Sequence, residues 1–223
     1  MLPLKHSPME PIVRTYLREL EARQDVLGAA VFGSYARGDA RPDGNIDIFV
    51  LISEGVHRDL ERHDGKTYEL LYASEKDALA FYAQNPDDCV TTWADAKIAF
   101  DKDGGLLRLR AYANLLRESG KISAAKSDIM HRKFEAEDKL NTLREIAKSD
   151  MSTAFMYLHE LAGRLLEYRF NMIGHWTPPP KGRLSALRTV EPELAVLFDE
   201  FYSHVSWDGK IEMFGKLIKR TFE

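Results

Sequence analysis

Residues 31–51, VFGSYARGDARPDGNIDIFVL, decide how the rest of the chain is read. The apolar run Val26–Phe32 stops at Gly33 and Ser34, and a second apolar run, Ile46–Ile52, follows after a polar turn. Short apolar runs bounded by turn residues predict two buried strands. Gly33 permits close approach of backbone to a ligand. SerTyrAlaArgGly predicts the start of a helix, whose first N–H groups lack partners within the helix; Gly33 and Ser34 therefore read as a phosphate-binding turn. Gly38 and the AlaArgProAspGly turn reverse the chain. Asn45 and Asp47 open the second strand two residues apart, so they project to one face. A polar pair beside a phosphate turn is where Mg²⁺ would be held, because Mg²⁺ prefers one or two carboxylates plus substrate phosphates.

Working outward, residues 9–24 place Ile12, Tyr16, Leu17 and Leu20 at helical spacing. TYELLYA at 67–73 predicts a third strand and residues 97–100 a fourth. Helices are predicted over 75–84 and 106–118, the latter closed by Gly120. Beyond Gly120 the strand signal vanishes. Long helical patterns cover 123–149 and 152–173, with Ser149, Asp150 and Ser152 available as caps between them. ThrProProProLys at 177–181 interrupts them, and shorter helices follow near 182–190, 192–206 and 209–221. The expected fold class is α+β: a mixed domain over 1–120 with a small sheet flanked by helices, then an all-α bundle over 121–223.

With 44% hydrophobic and 30% charged residues among 223, the chain is neither disordered nor fibrous. Cys89 is its only cysteine, which excludes an internal disulfide and a thiolate-cluster metal site. No apolar run approaches the roughly 18 residues of a membrane helix. The amino-terminal MLPLKHSPMEP has no apolar signal core, so a cytoplasmic location is expected. Residues 1–121 carry 16 Lys+Arg against 20 Asp+Glu, and the remainder balances at 15 against 15. Binding to long nucleic acid draws on a basic surplus that is missing here, which favours small-molecule substrates.

The order and spacing of GSYARGDARPDGNID resemble the DNA polymerase β-like nucleotidyltransferase superfamily, whose signature is GlySer, a turn, then Asp-x-Asp in an apolar strand. The resemblance implies that Gly33, Ser34 and Arg37 contact an NTP, and that a third acidic residue on a later strand completes the metal cradle; Glu69 fits that place. It also implies Mg²⁺, in the family two ions, held by position 45, Asp47 and Glu69. Asn45 departs from the pattern, since it stands where the family has the first Asp, and a neutral amide oxygen is a weaker ligand for hard cations. Three explanations compete: a change made to trap a substrate complex, a member with one strong metal site, or a nucleotide-binding protein without turnover. The otherwise intact surroundings favour the first. Arg41 reads as a surface arginine, and Asp39 and Asp43 as turn residues bonding their own backbone.

In the helical half, Glu160, Arg164, Glu167 and Asn171 share one face of the 152–173 helix. By itself the stripe reads equally as a solvated face with ion pairs. HELAGR at 159–164 resembles the second-domain helix of antibiotic nucleotidyltransferases similar to kanamycin nucleotidyltransferase, which implies that Glu160 is a general base and that Arg164 lies at the nucleotide phosphates. Arg169 and His175 loosely resemble the Arg-x₄₋₆-His pattern of helical-bundle ribonuclease toxins, although packing is the commoner role for such a histidine. The function implied is Mg²⁺-dependent transfer of a nucleoside monophosphate from an NTP to a hydroxyl of a small acceptor, an aminoglycoside or lincosamide. Asp47, Glu69 and Glu160 would be the catalytic carboxylates, with no long nucleic acid and no membrane among the partners. The alternatives are an antitoxin-type enzyme modifying a protein or RNA, and a non-catalytic nucleotide-binding module.

Overall fold

The computed structural model describes residues 10–223. Most of the amino-terminal stretch read for a signal core lies outside them. The chain divides into two compact units that meet in sequence at Ser119 and Gly120. Its elements place it in the α+β class.

The first unit is built on a five-stranded sheet in the order β3-β4-β2-β1-β5, comprising β1 (Val26–Phe32), β2 (Ile46–Ile52), β3 (Val56–His63), β4 (Lys66–Ala73) and β5 (Lys97–Asp101). β2 and β4 run parallel and the other neighbours antiparallel. Alternation along the central strands sends residues to two cores. Val31, Ile46, Ile48, Val50, Tyr68, Leu70 and Tyr72 pack under α1 (Pro11–Ala22), which contributes Val13, Tyr16, Leu17 and Leu20. Ala30, Phe49, Leu51 and Ala73 face α3 (Glu75–Gln84), α4 (Pro86–Asp95) and α5 (Gly105–Ser119). Burial on both faces is why β1 and β2 read as unbroken apolar runs.

Two elements were absent from the sequence reading. β3, VHRDLERH, lies at the sheet edge and is exposed along most of its length, so it carries charge where an inner strand carries apolar residues. α4, PDDCVTTWAD, buries Cys89, Val90 and Trp93 with Pro86 in its first turn; its short apolar stripe is diluted by Asp87, Asp88 and two threonines.

The second unit contains α6 (Lys126–Ile146), α7 (Met151–Met172), α8 (Arg183–Val190), α9 (Pro192–Ser203) and α10 (Trp207–Thr221), packed around Leu158, Leu165, Phe170, Phe198, Phe214 and Leu217. Asp150 caps α7 by accepting the Thr153 N–H. The Pro-rich break resolves into a single short turn at Pro180–Gly182. Arg169 bonds both carboxylate oxygens of Glu191 at 2.6 Å and the Thr221 carbonyl at 2.7 Å, tying α7 to the ends of α8 and α10. Among the described residues no helix is long and apolar enough to cross a membrane.

Candidate active site

The turn after β1 folds into α2 (Gly33–Arg37), a short helix ended by Gly38 at φ 84°. Gly33 adopts φ 68°, and a Cβ placed there would stand 2.2 Å from the Asp47 Oδ2. Glycine is required at position 33 on two counts, backbone conformation and space. The sequence reading gave Gly33 to ligand approach; the structure shows that the carboxylate of Asp47 is what it accommodates. Ser34 follows in the first turn of α2, half-buried, and its carbonyl accepts the Gly38 and Asp39 N–H groups.

Asp47 pairs with Phe32 on one side and with Glu69 on the other. It alternates in phase with Phe49 and Leu51, so it projects on the sheet face covered by α3–α5. Paired positions on adjacent strands lie about 4.8 Å apart, which sets the Asp47 and Glu69 side chains next to each other. Both are partly exposed, and Asn45, one residue before β2, is exposed. Asn45 precedes the ladder, two residues before Asp47 in sequence. The register sets Asp47 beside Glu69, and the close approach of Asp47 to Gly33 sets that pair at the turn carrying Ser34. No group of three or more His, Cys, Asp or Glu able to hold a metal occurs among the described residues. Two carboxylates and one amide oxygen are hard oxygen donors, the kind that Mg²⁺ takes together with phosphate oxygens. They fit one ion better than two, since a second ion depends on the carboxylate that Asn45 lacks.

The other candidates have partners of their own. Arg37 pairs with Asp39 at 3.3 Å within its own turn, and Arg41 with Asp43 at 3.8 Å on the surface. Glu160 accepts from Arg164 at 2.6 Å across one turn of α7, with both side chains half-exposed. That contact holds the Arg164 guanidinium above its usual pKa. Further along the same stripe, Glu167 pairs with Arg183 at 2.5 Å and the Asn171 side-chain amide donates to the Glu167 carbonyl at 3.1 Å, so this end of the stripe is structural. The engagement of Arg169 with Glu191 and Thr221 likewise accounts for that arginine without a ribonuclease role.

Sequence reading missed Arg58. On β3, Leu60 lies opposite Glu69 and Arg58 opposite Leu71, and the Arg58 Nη1 stands 3.8 Å from the Glu69 Oε1. The signal available was the alternation of HRDLER, which places Arg58 and Arg62 on one face; without β3 there was no face to put them on. An open groove of about 550 Å³ lies at the Ile52 end of β2, lined by Leu27, Leu51, Ser53, Ser74, Glu75 and Asp103. Asp47 is at the opposite end of that strand, so this groove and the acidic cluster are different places.

A model of the nucleotidyltransferase domain matches residues 13–149. The chain belongs to the nucleotidyltransferase family. Over 54 residues this nucleotidyltransferase is 39% identical to the protein adenylyltransferase MntA of Thermococcus cleftensis, a stretch covering 24% of the chain and 54% of that relative. The chain thus spans about half the length of the curated relative it matches. Its fold is similar to that of a nucleotidyltransferase-like protein from Exiguobacterium sibiricum, at a TM-score of 0.53 and 14% identity, over 96% of this chain and 74% of that one. The spectinomycin adenyltransferase of Enterococcus faecialis, solved with ATP and spectinomycin, aligns over 95% of this chain and 97% of its own; at 13% identity and a TM-score of 0.38 the likeness is too weak to argue from.

Proposed function

We propose that this nucleotidyltransferase moves a nucleoside monophosphate, AMP in the first instance, from an NTP to a hydroxyl acceptor with release of pyrophosphate. The observation that carries the reading is the registered pair Asp47–Glu69 beside the Gly33–Ser34 turn. Transfer of this kind depends on positioning and charge neutralisation more than on covalent chemistry. Gly33 and Ser34 offer backbone N–H groups and a hydroxyl to the phosphates. Asp47 and Glu69, helped by Asn45, would hold Mg²⁺, which would neutralise charge on the reacting phosphate. Glu160 is the carboxylate proposed to take the acceptor proton, and Arg164 the cation proposed to meet the nucleotide phosphates.

A small hydroxylated acceptor is favoured by the resemblance of the Glu160–Arg164 segment to antibiotic transferases. Arg58 and Arg62 beside Glu69 favour a neutral or singly charged acceptor, of the lincosamide kind, over a polycationic aminoglycoside. A protein acceptor is the second reading, and the relative named protein adenylyltransferase favours it. One experiment separates them. The chain is incubated with ATP labelled on the α-phosphate and Mg²⁺, with a panel of antibiotics or with total protein as acceptor. Label in a small-molecule product supports the first reading and label on a protein band the second. No label in either, with each NTP tried and with Asn45→Asp run alongside, would remove the transferase reading.

A further inference from the structure

The edge strand β3 sorts its charged residues by face. His57 stacks on Tyr72 at 4.3 Å between ring centroids, and Glu61 accepts the Tyr16 hydroxyl at 2.7 Å, so these two serve the α1 side. Arg58 and Arg62 alternate to the other side, where Asp47 and Glu69 project. Diagonal neighbours on adjacent strands are within reach of long side chains, and Arg58 uses that reach to approach Glu69. At 3.8 Å, with side-chain exposures of 73% and 45%, the contact is an ion pair without a locked hydrogen bond. Such a pair is cheap to separate.

We propose that Arg58 is a resident counter-ion of Glu69 that competes with the divalent cation for this carboxylate. The proposal rests on Glu69 being a metal ligand, as in the reading above. A metal ion needs the carboxylate oxygens that Arg58 approaches, so metal entry displaces the guanidinium. The displaced guanidinium remains on the face assigned to the nucleotide, where phosphate oxygens are its natural partners. Arg58 therefore couples the two ligands: metal alone must displace a cation, whereas metal arriving with nucleotide leaves that cation a new anion. Arg58 acts through Glu69 as a positioning residue.

The test is a titration of the full chain with Mn²⁺, followed by electron paramagnetic resonance, with and without a non-hydrolysable ATP analogue. Breaking an ion pair of unit charges about 4 Å apart in water-like screening corresponds to a roughly fivefold change in affinity. Arg58→Gln is expected to bind Mn²⁺ alone about that much more tightly, and to lose a similar factor from the strengthening that the analogue gives. Arg58→Lys should restore most of both. Arg62→Gln, the other diagonal neighbour of Glu69 on that face, should leave Mn²⁺ affinity nearly unchanged, because it is Arg58 that stands as the ion-pair partner of that carboxylate. Unchanged or weaker Mn²⁺ binding by Arg58→Gln overturns the proposal, and so does an equal gain in Arg62→Gln, which would mean diffuse charge rather than a specific partner. Glu69→Gln separates the two levels of the argument. If it weakens Mn²⁺ binding while Arg58→Gln has no effect, only the counter-ion role fails; if it leaves Mn²⁺ binding unchanged, the ligand assignment of Glu69 fails, and the proposal with it.

Discussion

Asp47–Glu69 in the sheet and Glu160–Arg164 on α7 are both pairs of charged side chains, and they come together for different reasons. Asp47 and Glu69 belong to different strands and stand side by side because β2 and β4 are registered from Ile46↔Tyr68 to Leu51↔Ala73. Like charges directly opposite each other on a sheet oppose folding unless cations meet them, and Arg58 beside Glu69 is one such cation. Glu160 and Arg164 meet because helical residues four apart always do, and an opposite-charge pair at that spacing stabilises a helix modestly on its own account. A pair set by strand register is more particular to this fold than one set by helical spacing. The acidic pair therefore carries the functional argument, and the helix pair leans on resemblance.

The largest expected effect falls on the sheet pair. Asp47→Asn should lower nucleotidyl transfer by about a thousandfold or more, because a metal clamp supplies several kcal/mol of transition-state stabilisation. Its melting temperature should stay near that of the parent, since the side chain is partly exposed. Transfer at the parent rate would take Asp47 out of the site. Glu160→Gln comes next: a general base contributes roughly 10²–10⁴-fold, and nucleotide affinity measured by calorimetry should be nearly unchanged. An unaltered rate would reduce the helix pair to a surface ion pair and widen the contrast with the sheet.

Two smaller effects sharpen the comparison through stability. Gly33→Ala should cost about 1–3 kcal/mol in a denaturant titration, because it combines a left-handed backbone with a Cβ driven against the Asp47 carboxylate. Gly38→Ala has the same sign of φ and open space around it, so only about 1 kcal/mol is expected. Equal costs would mean that the approach of Asp47 to Gly33 is not tight. Within the bundle, Arg169→Met should destabilise by about 2–3 kcal/mol, since it strands the largely buried Glu191 and the Thr221 carbonyl. Arg164→Ala, from an exposed pair, should cost no more than about 1 kcal/mol. If Arg164→Ala proved the costlier of the two, α7 would need a structural account in place of a functional one.

Both central strands were legible because burial on two faces writes an unbroken apolar run into the sequence, and β1 and β2 appear as read. The same rule hid β3, whose edge position replaces apolar residues with HRDLERH. With β3 went Arg58, since its place beside Glu69 follows from pairing with β4 and from nothing local. Glu69 was nominated by its apolar flanks, but that it stands against Asp47 is a property of register, which no single strand encodes. The stripe Glu160–Asn171 shows the converse. Its spacing was plain, yet Arg183, the partner that makes Glu167 structural, lies on another segment. Helical period reveals which residues share a face, whereas what the face meets is written elsewhere in the chain.

On the function proposed above, the sheet cluster is a transfer site complete but for one carboxylate. The direct test is label transfer from α-labelled ATP by the chain and by Asn45→Asp side by side, with Mg²⁺ and the acceptor panel. Restoring the carboxylate should raise turnover by about a hundredfold or more, in line with the several kcal/mol that a metal clamp contributes. Absence of transfer in both, with the fold intact and nucleotide still bound, would contradict the claim and leave a nucleotide-binding protein without turnover.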